Sequence, residues 1–131
     1  MSEKKSDRAL LAVAKANLKA AKWSIKETDE IFVNISLFNI SQAAEKIVKF
    51  LCSCNGIDYD YSHFIASMVE KLLSKSVTVP QLVQDSINDY SDWATKARYN
   101  ANQLALRSYA EKHIKCIEEW IASIEKQIMF L

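Results

Sequence analysis

The stretch from Ile40 to Ile57 reads ISQAAEKIVKFLCSCNGI and contains the clearest helical pattern of the chain. Apolar residues recur in it at intervals of three and four, which is the spacing of one face of an α-helix. The pair Asn55-Gly56 ends this pattern, because both residue types tolerate the left-handed backbone conformation that closes a helix. We therefore expect a helix from about Asp29 to Cys54. Its apolar stripe consists of Ile40, Ala43, Ala44, Ile47 and Leu51.

The composition of the chain favours an all-helical fold. Among its 131 residues, glycine occurs once, at Gly56, and proline once, at Pro80. A β-sandwich or barrel needs turn residues about every 8–12 positions, and glycine-rich phosphate loops need several glycines. Half of the residues are apolar and a quarter are charged, as in globular proteins. The sequence therefore predicts one helical domain over residues 1–131.

Further helices are expected on both sides of the central one. The first begins at Asp7 and stops at a break over residues 28–30, the third is capped by Ser62, and Pro80 stands in the first turn of a fourth. The segment 89–100 is ambiguous and is interpreted as a helix to about residue 95 and then a turn. The last helix covers about residues 102–130. Together these elements predict an antiparallel up-and-down bundle of four long helices plus a shorter fifth.

Charge and cysteine content exclude several classes of partner. Lys and Arg number 17 against 16 Asp and Glu, so no strong overall field attracts nucleic acid or a membrane, and only a local basic patch would do so. No apolar stretch is long enough to span a bilayer, and the charged start MSEKKSDR does not resemble a secretory signal. The cysteines Cys52, Cys54 and Cys116 do not have zinc-site spacing. We expect a cytoplasmic protein with reduced thiols, no metal and no cofactor.

A polar stripe accompanies the apolar one on the predicted central helix. Its members have offsets of 0, 3, 4 and 7, which place them on one helix face. One interpretation is a solvated face with a Glu–Lys ion pair of the favourable i, i+4 order. The other is a polar groove whose lysines bind a phosphate or a partner through charge-assisted bonds. The stripe consists of Gln42, Glu45, Lys46 and Lys49.

The same segment resembles the signature of the HEPN domain family. The family shows a Q-A-A-E-K-x-x-K run, present here over residues 42–49, followed by a glycine and an apolar residue, here Gly56 and Ile57. A histidine at the start of the third helix corresponds to His63, and a later A-R-Y tripeptide corresponds to residues 97–99. The resemblance covers about residues 8–128 in matching order. It implies an antiparallel helical bundle that forms a homodimer.

The resemblance also implies a choice of functions. Members of the family are associated with nucleotide binding, with RNA cleavage, or with a separate nucleotidyltransferase chain that acts as partner or antitoxin. The interpretation we favour is a non-catalytic module that binds a nucleotide or such a partner chain. Its groove would be lined by Gln42, Glu45, Lys46, Lys49, Arg98 and Tyr99.

The alternative is a metal-free ribonuclease. In that branch of the family an Arg is followed four to six residues later by a His, and the pair meets its copy across the dimer interface. No histidine follows Arg98 at this distance, but Arg107 and His113 have an offset of six. That offset rotates about 240° on a regular helix, so the two side chains point apart within one chain. They would converge only if the helix is interrupted or a second subunit supplies one of them.

The aromatic residues and His63 have structural interpretations as well. Trp23, Trp93 and Trp120 stand on separate helices or at their ends and are expected to anchor the core or a dimer interface. A base-stacking role is the alternative, although no aromatic–basic alternation typical of single-strand binding is visible. His63 is expected to cap a helix or to make a buried hydrogen bond.

Overall fold

The computed structural model describes residues 5–59, 65–95 and 106–129, and these ranges contain α-helices and no strand. The all-α bundle expected from the sequence is confirmed. Three of the helices are long, and three short ones divide the segment between the second and the last long helix. In chain order they are α1 (Lys5–Ser24), α2 (Ile31–Cys54), α3 (Ala66–Ser74), α4 (Gln81–Asp85), α5 (Ile87–Thr95) and α6 (Leu106–Met129).

Helices α1 and α2 form an antiparallel pair, and their mutual contact is the most extensive between any two of the described helices. Small side chains make this approach possible, because Ala21 on α1 and Ala43 on α2 are fully buried. The hydroxyl of Ser36 donates to the carbonyl of Ala21 at 3.0 Å across the interface. The amide of Asn17 donates to that of Asn39 at 3.2 Å. These two contacts fix the register of the pair.

Helix α2 is the central element of the bundle and packs against α1, α3, α5 and α6. It starts at Ile31, whose N–H donates to the Asp29 carboxylate at 3.1 Å, so the predicted break and cap are present. Its end is also as predicted, since Gly56 has a φ of 65° and the N–H of Ile57 donates back to Cys52 at 2.9 Å. Its fully buried side chains include the large apolar residues Val33, Leu37, Ile40, Ile47 and Val48.

Two of the short helices, α3 and α5, pack against α2. The predicted apolar face of α3 is buried, with Met68, Val69 and Leu72 at 3% exposure or less. Pro80 directly precedes α4, consistent with its missing N–H. The continuous fourth helix expected through Ile87 is interrupted, because α4 ends at Asp85 and α5 starts at Ile87. The predicted cap Ser62 and residue His63 lie outside the described residues.

Helix α6 runs antiparallel to α1 and closes the bundle. Two ion pairs join them, Lys15 to Glu125 at 2.8 Å and Lys22 to Glu118 at 2.5 Å. The buried face of α6 includes Ile117, which is fully buried, and it carries the core side chains Ala110, Ile114, Trp120, Ile121 and Ile124. Among the described helices none is long and apolar enough to cross a membrane.

Candidate functional site

The polar stripe predicted on α2 forms a connected cluster. The ammonium of Lys46 donates to the Glu45 carboxylate at 2.9 Å and lies 3.4 Å from the side-chain oxygen of Gln42. Lys49 donates to the same Glu45 oxygen at 3.3 Å. All four side chains therefore lie on one face, as their spacing predicts. We call Gln42, Glu45, Lys46 and Lys49 the α2 cluster.

Burial divides the α2 cluster into an inner and an outer part. Glu45 is 3% exposed and Lys49 is 6% exposed, whereas Gln42 and Lys46 are half-buried. The interpretation of this stripe as a solvated face is therefore wrong for Glu45 and Lys49. Two lysines against one glutamate give the cluster a net positive charge. Glu45 pairs with both lysines, and the Lys46 ammonium is the more exposed of the two cations.

Two further residues assigned to this groove, Arg98 and Tyr99, lie outside the described residues. Their place beside the α2 cluster stays a prediction from the family resemblance.

Arg107, one half of the predicted ribonuclease pair, binds the connection between α1 and α2. Its Nη1 donates to the carbonyl of Ile25 at 2.6 Å, and its Nη2 donates to Glu30 at 3.2 Å. The side chains of Arg107 and Glu30 are about three-quarters buried. The guanidinium thus satisfies a free carbonyl just beyond the end of α1 and ties the start of α6 to the start of α2.

His113, the other half, is fully buried beneath α5. Its Nδ1 lies 3.0 Å from the hydroxyl of Tyr90, and its Nε2 lies 3.4 Å from the hydroxyl of Ser86. Both ring nitrogens therefore have partners. The rings of Tyr90, Trp93 and Tyr109 surround the imidazole edge-on, with centroids 4.5 to 5.5 Å away.

The protonation states of this group follow from its burial. Burial lowers the pKa of His113 to about 4, and the charge of Lys112 acts in the same direction. The imidazole is therefore neutral near pH 7, with one nitrogen as donor and one as acceptor. Burial also raises the pKa of the Tyr90 hydroxyl, which stays protonated. A neutral, fully paired imidazole fits a structural role in the core.

Arg107 and His113 do not meet within one chain. Arg107 points to the α1–α2 connection and His113 points to α5, in agreement with the rotation expected from their offset of six. Any joint action across two copies stays a prediction.

Sequence reasoning missed the polar network around His113. Ser86 lies 3.1 Å from the hydroxyl of Tyr109, which also donates to Asp89 at 3.3 Å. Ser86 occupies the break between α4 and α5, so the interruption places its hydroxyl between Tyr109 and His113. A signal was present: Ser86 and Tyr90, like Tyr109 and His113, are four residues apart and share a helix face.

A cavity opens away from all of these residues, between the end of α2 and the second half of α6. It has a volume of about 250 Å³. Burial raises the pKa of the Cys116 thiol on its wall, which makes that thiol a poor nucleophile. The described residues contain no group of three or more His, Cys, Asp or Glu able to hold a metal ion.

Comparison with known proteins identifies one family. The model of the HEPN domain matches residues 8–127, which is nearly the whole chain. No curated protein and no solved structure matches the chain.

Proposed function

Because the chain belongs to the HEPN domain family, we propose that it is a non-catalytic binding module whose α2 cluster holds the phosphate of a nucleotide. The partner that the family resemblance implies is a nucleotidyltransferase chain, in a system of the toxin–antitoxin type.

The observation that carries this proposal is the buried Glu45–Lys49 ion pair behind Lys46. Burial of an ion pair costs desolvation energy and is weak evidence for a purely stabilising role. Here the pair holds the Lys46 ammonium, whose side chain is 22% exposed, in one position at the surface. A phosphate oxygen would accept one charge-assisted hydrogen bond from this ammonium and a second hydrogen bond from the Gln42 amide. Because Lys46 is already held in place, binding would cost little further loss of side-chain entropy.

The geometry of His113 argues against the ribonuclease alternative. A general acid or base must reach the proton it transfers. His113 is fully buried, and its two nitrogens contact Ser86 and Tyr90. Arg107 is engaged by Ile25 and Glu30, so neither side chain is poised at a substrate within one chain.

Nucleotide binding tests the proposal directly. Isothermal titration with ATP is expected to show binding to the wild-type protein and about tenfold weaker binding to Lys46→Ala, since a charge-assisted bond contributes about 1.5–3 kcal/mol. Lys115→Ala, an exposed lysine on α6, is the matched control and should bind as the wild type does. Equal affinities in all three proteins would show that the α2 cluster is not the site.

A cleavage assay decides between the two functions. Labelled RNA is incubated with the protein in chelator, and we expect it to stay intact. Cleavage that is lost in both Arg107→Lys and His113→Gln, with helical circular dichroism retained, would replace the binding module by the ribonuclease. The conservative substitutions are chosen because alanine at these buried positions would remove core contacts.

A further inference from the structure

The cavity between the end of α2 and the second half of α6 has an apolar floor. Leu51, Trp120 and Ile124 line it and are almost fully buried. Pro80, in the connection between α3 and α4, forms part of its wall. The volume of the cavity is about 250 Å³, and an apolar cavity of roughly 150 Å³ is large enough to bind benzene. There is therefore room for one aromatic ring with a short side chain. We call this space the α6 cavity.

Polar side chains lie at the mouth of the α6 cavity. Glu119 and Ser123 stand one turn apart on α6, and both line the cavity while remaining exposed to solvent. Trp120 and Ile124 follow them directly in the sequence and belong to the floor. Two neighbouring rows of side chains on one helix thus supply the polar mouth and the apolar floor.

The charge at this mouth is negative and has no counter-ion. Among the described residues that line the cavity, Glu119 alone is charged. Two other glutamates of α6, Glu118 and Glu125, pair with lysines of α1. No Lys, Arg or His of the described ranges lies within ion-pair distance of Glu119. Its carboxylate therefore attracts a cation, and more strongly than in bulk water, because the effective dielectric constant is lower beside a protein wall.

We propose that the α6 cavity binds a small organic amine, with its apolar body against Trp120 and its ammonium at the Glu119 carboxylate. An aromatic body suits this floor, since aromatic rings pack favourably against an indole. A hydroxyl oxygen such as that of Ser123 accepts a second hydrogen bond from an ammonium, which has three donors.

Size and charge favour this class of ligand over others. A helix of a protein partner, with a diameter of about 10 Å, does not fit into a cavity of this volume. A nucleotide phosphate would meet the negative charge of Glu119 and be repelled. The α6 cavity is therefore distinct from the α2 cluster, and the amine proposal does not rest on nucleotide binding there.

Phenethylamine is the probe, and 2-phenylethanol and 3-phenylpropionate are its neutral and anionic counterparts. In the NMR spectrum of the protein, we expect the indole N–H signal of Trp120, identified by its loss in Trp120→Phe, to shift as phenethylamine is added. Trp23, which is exposed, and Trp93, which is buried as expected, do not line the cavity, so their signals are the references. Phenethylamine should bind about fivefold more tightly than 2-phenylethanol, which is the upper end of what an exposed ion pair contributes.

Substitutions of Glu119 test the source of this preference. Glu119→Gln should weaken the binding of phenethylamine about fivefold and leave that of 2-phenylethanol unchanged. Glu119→Lys should transfer the preference to 3-phenylpropionate. Glu111→Gln, at an exposed position of α6 outside the lining, is the matched control and should bind all three probes as the wild type does.

Filling the mouth tests the location of the site. Ser123→Trp should abolish the shift, because the larger side chain occupies the space of the ligand. Ala122→Trp, at the neighbouring exposed position outside the lining, should leave binding intact. Both positions are exposed, so the variants are expected to fold, and circular dichroism provides the check.

Three outcomes would overturn the inference. No shift of the Trp120 signal at millimolar phenethylamine would show that the cavity does not admit a ring. Equal affinities for the amine and the alcohol would exclude selection by Glu119. Unchanged binding in Ser123→Trp would place the probe elsewhere. Failure of ATP binding at the α2 cluster would leave these measurements unaffected.

Discussion

His113 shows how burial determines the chemistry of a single side chain. Its ring is fully buried, both of its nitrogens have hydroxyl partners, and burial lowers its pKa to about 4. In the unfolded chain the pKa of a histidine is near 6.5. At a pH between these two pKa values, the unfolded state binds more protons than the folded state. The free energy of unfolding therefore falls as the pH falls through this window.

This difference predicts an acid-sensitive core. From pH 7 to pH 4, the free energy of unfolding of the wild type should fall by about 3 kcal/mol more than that of His113→Gln, which has no proton to gain. Urea unfolding of both proteins across this range measures it. All other titratable residues are the same in both proteins, so their contributions cancel in the comparison. Parallel pH profiles would mean that His113 is not held neutral.

The α2 cluster marks the limit of sequence reasoning for single residues. The offsets of Gln42, Glu45, Lys46 and Lys49 correctly placed them on one face, because helical periodicity is a local property. Their burial depends on what lies against that face. This is set by the packing of the whole chain, so the sequence favoured a solvated face and left a groove as the alternative.

At the scale of elements, the α1–α2 pair depends on small residues. Ala14, Ala21, Ala43 and Ala44 are fully buried, and the Ser36 hydroxyl reaches the Ala21 carbonyl at 3.0 Å. Larger side chains there would push the helices apart. The close packing of this pair therefore depends on the small size of alanine, and the high helix propensity of alanine is a separate advantage.

Enlarging one of these alanines tests this dependence. Ala21→Leu should lower the free energy of unfolding by about 1–3 kcal/mol, as overpacking of a core does. Ala16→Leu on the exposed side of α1 is the matched control and should change it by less than about 0.5 kcal/mol. Chemical denaturation of the two variants gives the comparison. Similar values for both would indicate that the helix pair adjusts without strain.

Helix ends differ in how far the sequence reveals them. The end of α2 was predictable because Gly56 supplies the left-handed conformation locally, with a φ of 65°. The break at Ser86 was not, since serine is no strong helix breaker and the chain around it is apolar at helical spacing. Its hydroxyl lies near the Tyr109 hydroxyl and near Nε2 of the His113 imidazole, and both of these partners are far along the chain. The break is associated with tertiary contacts, and these cannot be predicted from the local sequence.

At the scale of the whole molecule, the first turns of α2 expose apolar side chains that the described residues leave uncovered. Ile31 and Ile35 are 40% and 36% exposed and stand one helical turn apart. The homodimer implied by the family resemblance would bury such side chains. The monomer mass is 14.9 kDa.

Light scattering tests the predicted dimer. We expect the wild type to have about twice the monomer mass, because burial of apolar surface drives association. Ile35→Asp should reduce the measured mass to that of the monomer, because it places a charge in the interface. Leu73→Asp, at an exposed apolar site on α3, should not. A wild-type monomer at micromolar concentration would contradict the prediction, and a dimer in both variants would place the interface elsewhere.

The central position of α2 has a consequence for the order in which the chain is assembled on the ribosome. Its contacts with α1 join neighbours in sequence and can form as soon as both helices emerge. Its contacts with α6 form later, because α6 is synthesised well after α2. Until α6 is synthesised, the apolar side of α2 that α6 covers has no partner. The nascent chain therefore passes through a stage in which this apolar side of α2 is exposed to solvent and accessible to chaperones.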